Sequence, residues 1–158
     1  FDAQDATVLA PHPTFATVSL GPADFERYAD RLAAGEVYNP KQWPYQNERA
    51  RELVEANDLP AFGSSYAHRP ATVGEVWTTF ERDITSEADL LAAFAEGAPR
   101  RVEHRTGWRH TLRCRAEFCH LAWENTYEKA DRVLLSGMEP THPRHIAYEG
   151  RFDDVRVY

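Results

Sequence analysis

Across the first 64 residues, short apolar runs closed by Pro or Gly alternate with stretches of helical spacing. This alternation narrows the possible folds more than any other feature of the chain. Thr7 to Ala10 is β-branched and apolar and stops at Pro11-His12-Pro13, which predicts a buried strand whose C-terminal end delivers His12. Pro22 to Ala34 sets Phe25, Tyr28, Leu32 and Ala33 at helical spacing, with Pro22 in the first turn and Gly35 as the stop. A strand over Glu36-Val37-Tyr38-Asn39, a helix over Tyr45 to Asn57 and a strand over Leu59 to Ser64 follow. Strand, helix, strand, helix, strand is the order of an α/β fold with parallel strands. Such folds gather ligand-binding groups at the C-terminal ends of their strands. His12 and the segment Ser64 to His68 both fall there and are expected to approach each other.

A fourth strand is expected over Val76 to Phe80, beyond a loop punctuated by Pro70 and Gly74. Ser86 is a suitable N-cap for an Ala-rich helix over Glu87 to Glu96, closed by Gly97-Ala98-Pro99. The expected division falls at that point, giving an α/β part over 1–97 and a mainly helical extension with short strands over 98–158. The extension opens with a short strand over Arg101 to Thr106. A long helix from Trp108 to about Leu135 then carries Leu112, Ala116, Cys119, Trp123, Tyr127, Ala130 and Leu134 as an expected core stripe. Glu139 to Tyr158 reads as a Pro-broken tail.

Composition enters through what it excludes. A chain of 158 residues suits one domain with an appendage. It has no apolar run of the roughly 18 residues that a spanning helix needs, so no membrane role is expected. Phe1 is not an initiator Met, and the chain is expected to start inside a longer polypeptide, without a signal peptide. Cys114 and Cys119 sit five apart in one predicted helix and cannot staple distant loops, which fits a reducing cytoplasm.

Three groups of residues are candidates for chemistry. His12 and His68 each follow a strand and are flanked by backbone-restricting residues, a rigid setting for metal-ligating imidazoles; two loop histidines without a metal is the plainer reading. Arg100 to Arg115 holds six arginines against Glu103 and would clamp phosphate or a nucleic-acid backbone, yet a net charge of -7 argues against a broad nucleic-acid footprint. A solvated helix face is preferred there. His110, Cys114, Cys119 and His120 invite a zinc reading, but Cys119 and His120 turn away from the face that His110 and Cys114 share. The preferred assignment makes Cys119 core and leaves His110 and His120 at the surface or at an interface. His142-Pro143-Arg144-His145 reads as a turn before a strand.

The combined pattern His12-Pro13, Glu36-Val37-Tyr38-Asn39, Asn47, Ala50, Leu53, Leu59-Pro60, Gly63-Ser64, His68, Val73-Gly74, Thr78 and Phe80 resembles the C-terminal portion of the PHP-domain superfamily of polymerase-associated and histidinol phosphatase-like proteins. The resemblance spans about residues 7 to 82. It implies the C-terminal half of a distorted β/α barrel that hydrolyses phosphoesters with metal-activated water. It implies Zn or Mn as the divalent ions, and a phosphorylated small molecule or nucleotide as substrate. The N-terminal half of the barrel would be the remaining partner. His12 and His68 correspond to metal ligands, with Ser64, Ser65, Arg69 and Asn39 as substrate-contacting or supporting residues. The chain departs from the family where Gly63-Ser64-Ser65-Tyr66-Ala67-His68 has hydroxyls in place of the ligand Asp, and the family's earlier His and Glu ligands have no counterpart in it. A neutral Ser binds a hard cation far more weakly than a carboxylate does. The site of this chain is therefore expected to be incomplete and the chain alone inactive. A non-catalytic binding or scaffold module is the alternative.

Overall fold

The computed structural model describes residues 6–15 and 19–130. Three parallel strands, β1 (Val8–Ala10), β2 (Leu32–Tyr38) and β3 (Ala61–Gly63), lie in the order β1-β2-β3. They are linked by α1 (Pro22–Tyr28) and α2 (Pro44–Ala56). The α/β order read from the sequence is the order observed.

Both helices begin as their sequences require. Pro occupies the first turn of each, where its missing N–H costs nothing. Asp24 accepts the Gly21 N–H at 2.8 Å, and Gln46 accepts the Trp43 N–H at 2.8 Å. α1 buries Phe25, while α2 buries Asn47, Ala50 and Val54, spaced along one face. Ala10, Phe25, Leu32, Val37 and Val54 form the core around β2. Gly35 lies under Val54: a Cβ at Gly35 would collide with the Val54 Cγ2. A larger residue would push α2 off the sheet.

The largest boundary difference lies at the end of the first helix. The helix predicted to reach Ala34 ends at Tyr28, a single 3-10 turn follows, and β2 starts at Leu32. Leu32 and Ala34 pair with Val8 and Leu9 and are buried. Strand pairing and burial on both faces override a local pattern that fits a helix equally well.

β4 (Val76–Phe80) and β5 (Arg100–His104) form a separate antiparallel pair, from Val76 opposite His104 to Phe80 opposite Arg100, connected through α3 (Glu87–Ala95). Ser86 caps α3 by accepting the Asp89 N–H, and Gly97, at φ 65°, turns the chain out of it. The pair packs beside β3: Gly63 donates to the Thr78 hydroxyl at 3.1 Å, and Phe94 of α3 meets Phe62 and Phe80 edge-on. No closed barrel is present among the described residues. β4 pairs its backbone with β5 and not with β3, leaving two open sheets where the resemblance implied a curved continuous one.

The chain divides into two compact units, Phe1–Arg115 and Ala116–Tyr158. β5 thus pairs across the 97/98 position at which the sequence suggested a division. α4 (Trp108–Ala130) begins in the first unit and ends in the second. Its expected core stripe is corrected: Leu112, Cys119, Trp123 and Tyr127 are exposed, and His110, Cys114 and Glu117 are buried. Within the second unit, Trp123 stacks on Tyr127, and His120 pairs with Glu124. Leu134 and the tail, including His142 to His145, lie outside the described residues.

Candidate functional site

The C-terminal ends of β1, β2 and β3 hold a connected polar network. Its centre is Glu36, 1 % exposed, whose carboxylate accepts the His12 backbone N–H at 2.5 Å and the Ser64 hydroxyl. Burial drives the Glu36 carboxyl above its ordinary value of 4.5, opposed by these hydrogen bonds and by the His12 charge. His12 meets Ser19 through Nδ1 at 3.0 Å. His12 and His68 both pack edge-on against the Tyr66 ring, with centroids 5.3 and 4.8 Å away. Burial and the nearby Glu36 charge raise the Tyr66 phenol. His12, Thr14 and Tyr66 have φ of 34°, 63° and 43°, a left-handed conformation that costs an L-residue on the order of 1 kcal/mol each. Backbone strain thus gathers where the side chains converge.

Two of the other residues named from the sequence, Ser65 and Asn39, are held by hydrogen bonds within the fold. Ser65 accepts the Val76 N–H and donates to the Val76 carbonyl, tying the loop to β4. Asn39 is buried: its N–H and carbonyl bond the Asn47 side chain, and its side chain accepts the Lys41 N–H. Lys41, only 1 % exposed, donates from Nζ to the Ser65 carbonyl at 2.9 Å. Arg69 is exposed and starts the turn Pro70–Thr72. His12, Ser64 and His68 therefore belong to one neighbourhood through Glu36 and Tyr66; Asn39 joins it through a side-chain hydrogen bond to Glu36, whereas Ser65 acts on the backbone. Neither His12 nor His68 joins a group of three converging metal-ligating side chains among the described residues.

One such group does exist, and sequence reasoning missed its carboxylate. Gly74, at φ 73°, turns the chain so that Glu75 points inward just before β4. The Glu75 carboxylate accepts from His110 Nδ1 at 2.9 Å, from Arg113 at 2.5 Å and from the Cys114 thiol at 3.3 Å. Burial pushes the Glu75 carboxyl up, but the Cys114 hydrogen bond, the His110 charge and Arg113 together outweigh it and hold the group below its ordinary value. His110, expected at the surface or at an interface, is buried against the buried Glu75. The helical spacing of His110 and Cys114 was visible in the sequence; the 35-residue step back to Glu75 was not.

His110 and Cys114 also line a cleft of about 410 Å³ with Tyr38, Gln42, Arg51 and Arg115 among its other walls. The arginine cluster is dispersed over separate partners. Arg100 lies over Phe94, Arg109 over Trp108 and Arg115 over Trp43, while Arg113 is on Glu75. No helix among the described residues is long and apolar enough to cross a membrane.

The sequence model of a family described as PHP-associated matches residues 44–99, from the first turn of α2 to the residue before β5. This segment carries Asn47, Gly63-Ser64, His68 and Thr78 of the pattern noted above; His12 and Glu36 precede it. No curated protein and no solved structure matches the chain.

Proposed function

We propose that this chain, with its PHP-associated segment, is the C-terminal part of a PHP-type α/β domain. Its strand-end site would bind a phosphorylated small molecule or nucleotide without hydrolysing it. The observation that carries this reading is the fate of the Ser64-Ser65 position. Ser64 is committed to Glu36 and Ser65 to Val76, and the buried Lys41 ammonium lies against the Ser65 carbonyl. An internal cation and a carboxylate already accepting from His12, Ser64 and Asn39 disfavour a divalent ion there, because its ligands would have to leave existing bonds. His12, Tyr66, His68 and Arg69 remain as the groups positioned to meet a phosphate. A cytoplasmic setting accompanies the proposal, since Cys114 and Cys119 form no disulfide.

The second reading keeps hydrolysis, with His12 and His68 as Zn or Mn ligands completed by residues from an N-terminal barrel half. The shared contact of both rings with Tyr66 favours it. Calorimetric titration with inorganic phosphate, and turnover of a generic phosphoester with added manganese or zinc, separate the two. Phosphate binding weakened by His12→Ala and Arg69→Ala, without turnover, is expected. Turnover abolished by His68→Ala would overturn the binding reading in favour of the enzyme.

A further inference from the structure

We infer that Glu75, His110 and Cys114 form a binding site for a zinc-class divalent ion, with three protein ligands and a fourth position open to the adjoining cleft. The site is separate from the strand-end network and does not depend on its function.

The donor set is the first argument. Carboxylate oxygen, imidazole nitrogen and thiolate sulfur are the three ligand types that zinc takes, and soft sulfur selects against magnesium or calcium. The ligands come from two segments, a helical i, i+4 pair and a turn residue far away in sequence, which fixes their relative directions before any ion arrives.

Distances are the second. Sγ of Cys114 lies 3.3 Å from Glu75 Oε2 and 3.7 and 3.8 Å from the two His110 ring nitrogens, and His110 Nδ1 lies 2.9 Å from Oε2. Tetrahedral zinc, with bonds of about 2.0 to 2.3 Å, sets its ligand atoms roughly 3.3 to 3.6 Å apart. The sulfur edges are already close to that spacing. Only the nitrogen–oxygen edge must open, by roughly 0.4 Å, a movement within the reach of side-chain torsions. Arg113 holds the other carboxylate oxygen, so Glu75 is oriented by a supporting partner.

Burial is the third. The three ligands are 2, 7 and 2 % exposed, so the metal would give up most of its hydration shell in exchange for two anionic donors whose attraction is strong in a low-dielectric setting. Binding releases the thiol proton to solvent, and the proton that His110 Nδ1 donates to Glu75 must leave that nitrogen, to Nε2 or to solvent. The ion's two positive charges are then balanced by one thiolate and one carboxylate, with His110 neutral. On the open side, Gln42 is 3 % exposed, and its Nε2 has no hydrogen-bond partner among the described residues. Its place in the cleft wall beside Arg115 suits a small anion or carbonyl on the fourth position.

The test is a titration of the metal-stripped full chain with cobalt(II), and then zinc by competition. One equivalent is expected to produce a sulfur-to-cobalt charge-transfer band and the intense visible absorption of a four-coordinate site. Cys114→Ser and His110→Ala, each checked for folding by circular dichroism, should abolish the band. Arg113→Ala should weaken binding by about 10- to 100-fold. Cys119→Ser, His12→Ala and His68→Ala should leave it unchanged. Absence of the band from the unaltered chain, or its persistence in Cys114→Ser, would overturn the assignment.

Discussion

Gly35 and Val54 offer the sharpest test of how α2 is seated on β2, one residue from Glu36. Gly35→Ala adds a methyl that meets the Val54 Cγ2, with Val54 Cβ and Cγ1 at an ordinary 3.5 Å. Gly35 has no positive φ, so the alanine is not strained by its backbone. Overpacking of this kind costs about 1 to 3 kcal/mol, partly offset by roughly 0.4 to 1 kcal/mol from a stiffer unfolded chain. Val54→Ala deletes two methyls from a side chain 1 % exposed, which with its cavity costs about 2 to 3 kcal/mol. In the double variant the colliding atom is gone and the new methyl occupies part of the void. Its cost should be about 2 kcal/mol, below the sum of the two single costs by more than 1 kcal/mol. Urea unfolding followed by far-ultraviolet circular dichroism measures all four proteins. Additivity within about 0.5 kcal/mol would mean that Gly35 and Val54 are not in contact, and that the helix is seated differently.

Glu36→Gln can keep an acceptor for the His12 N–H while reversing the bond with Ser64. Because the folded pKa is raised, the native state holds the proton more tightly. Stability is full below about 4.5 and falls as pH rises through the folded value, with a slope of at most about 1.4 kcal/mol per pH unit. The variant should lose that slope and gain relative to the unaltered chain as pH rises above about 4.5; an unchanged slope would mean that burial does not raise the Glu36 carboxyl. Glu75 has the opposite sign: its depressed carboxyl stabilises the fold above about 4.5, and that contribution disappears as pH falls through the folded value. Acid unfolding of Glu75→Gln should therefore show a shallower low-pH limb, and an identical limb would remove Glu75 from the account. Ser86→Ala should cost about 1 kcal/mol in thermal or urea unfolding through loss of the bond to Asp89, with no effect on metal or phosphate binding.

The strand-end site and the Glu75 cluster separate two demands on one fold. The first is assembled by the parallel sheet, whose three strand ends bring His12, Glu36 and Ser64 together although they lie 24 and 28 residues apart. The second is assembled by the antiparallel pair and the start of α4, where the Arg105 N–H bonds the Glu75 carbonyl and brings the helix back over the turn. Each polar cluster has a buried carboxylate at its centre; burial wins at Glu36 and raises its proton affinity, whereas the neighbouring donors and charges win at Glu75 and lower it.

Local chemistry in the sequence determined where elements begin and end. Pro22 and Pro44 open helices, Ser86 caps one, and the runs at Val8, Ala61 and Val76 are strands because β-branched or small apolar residues stop at turn formers. The apolar spacing at Leu32 to Ala34 was ambiguous, and only pairing with β1 made it a strand. On α4 the sequence offered several faces of mixed character. In the first unit the buried face was decided by a carboxylate 35 residues earlier, which drew His110 inward and left Leu112 in solvent. Periodicity reports which residues share a helix face. Which face is covered depends on what the rest of the chain presents to it, and that is a property of the tertiary structure.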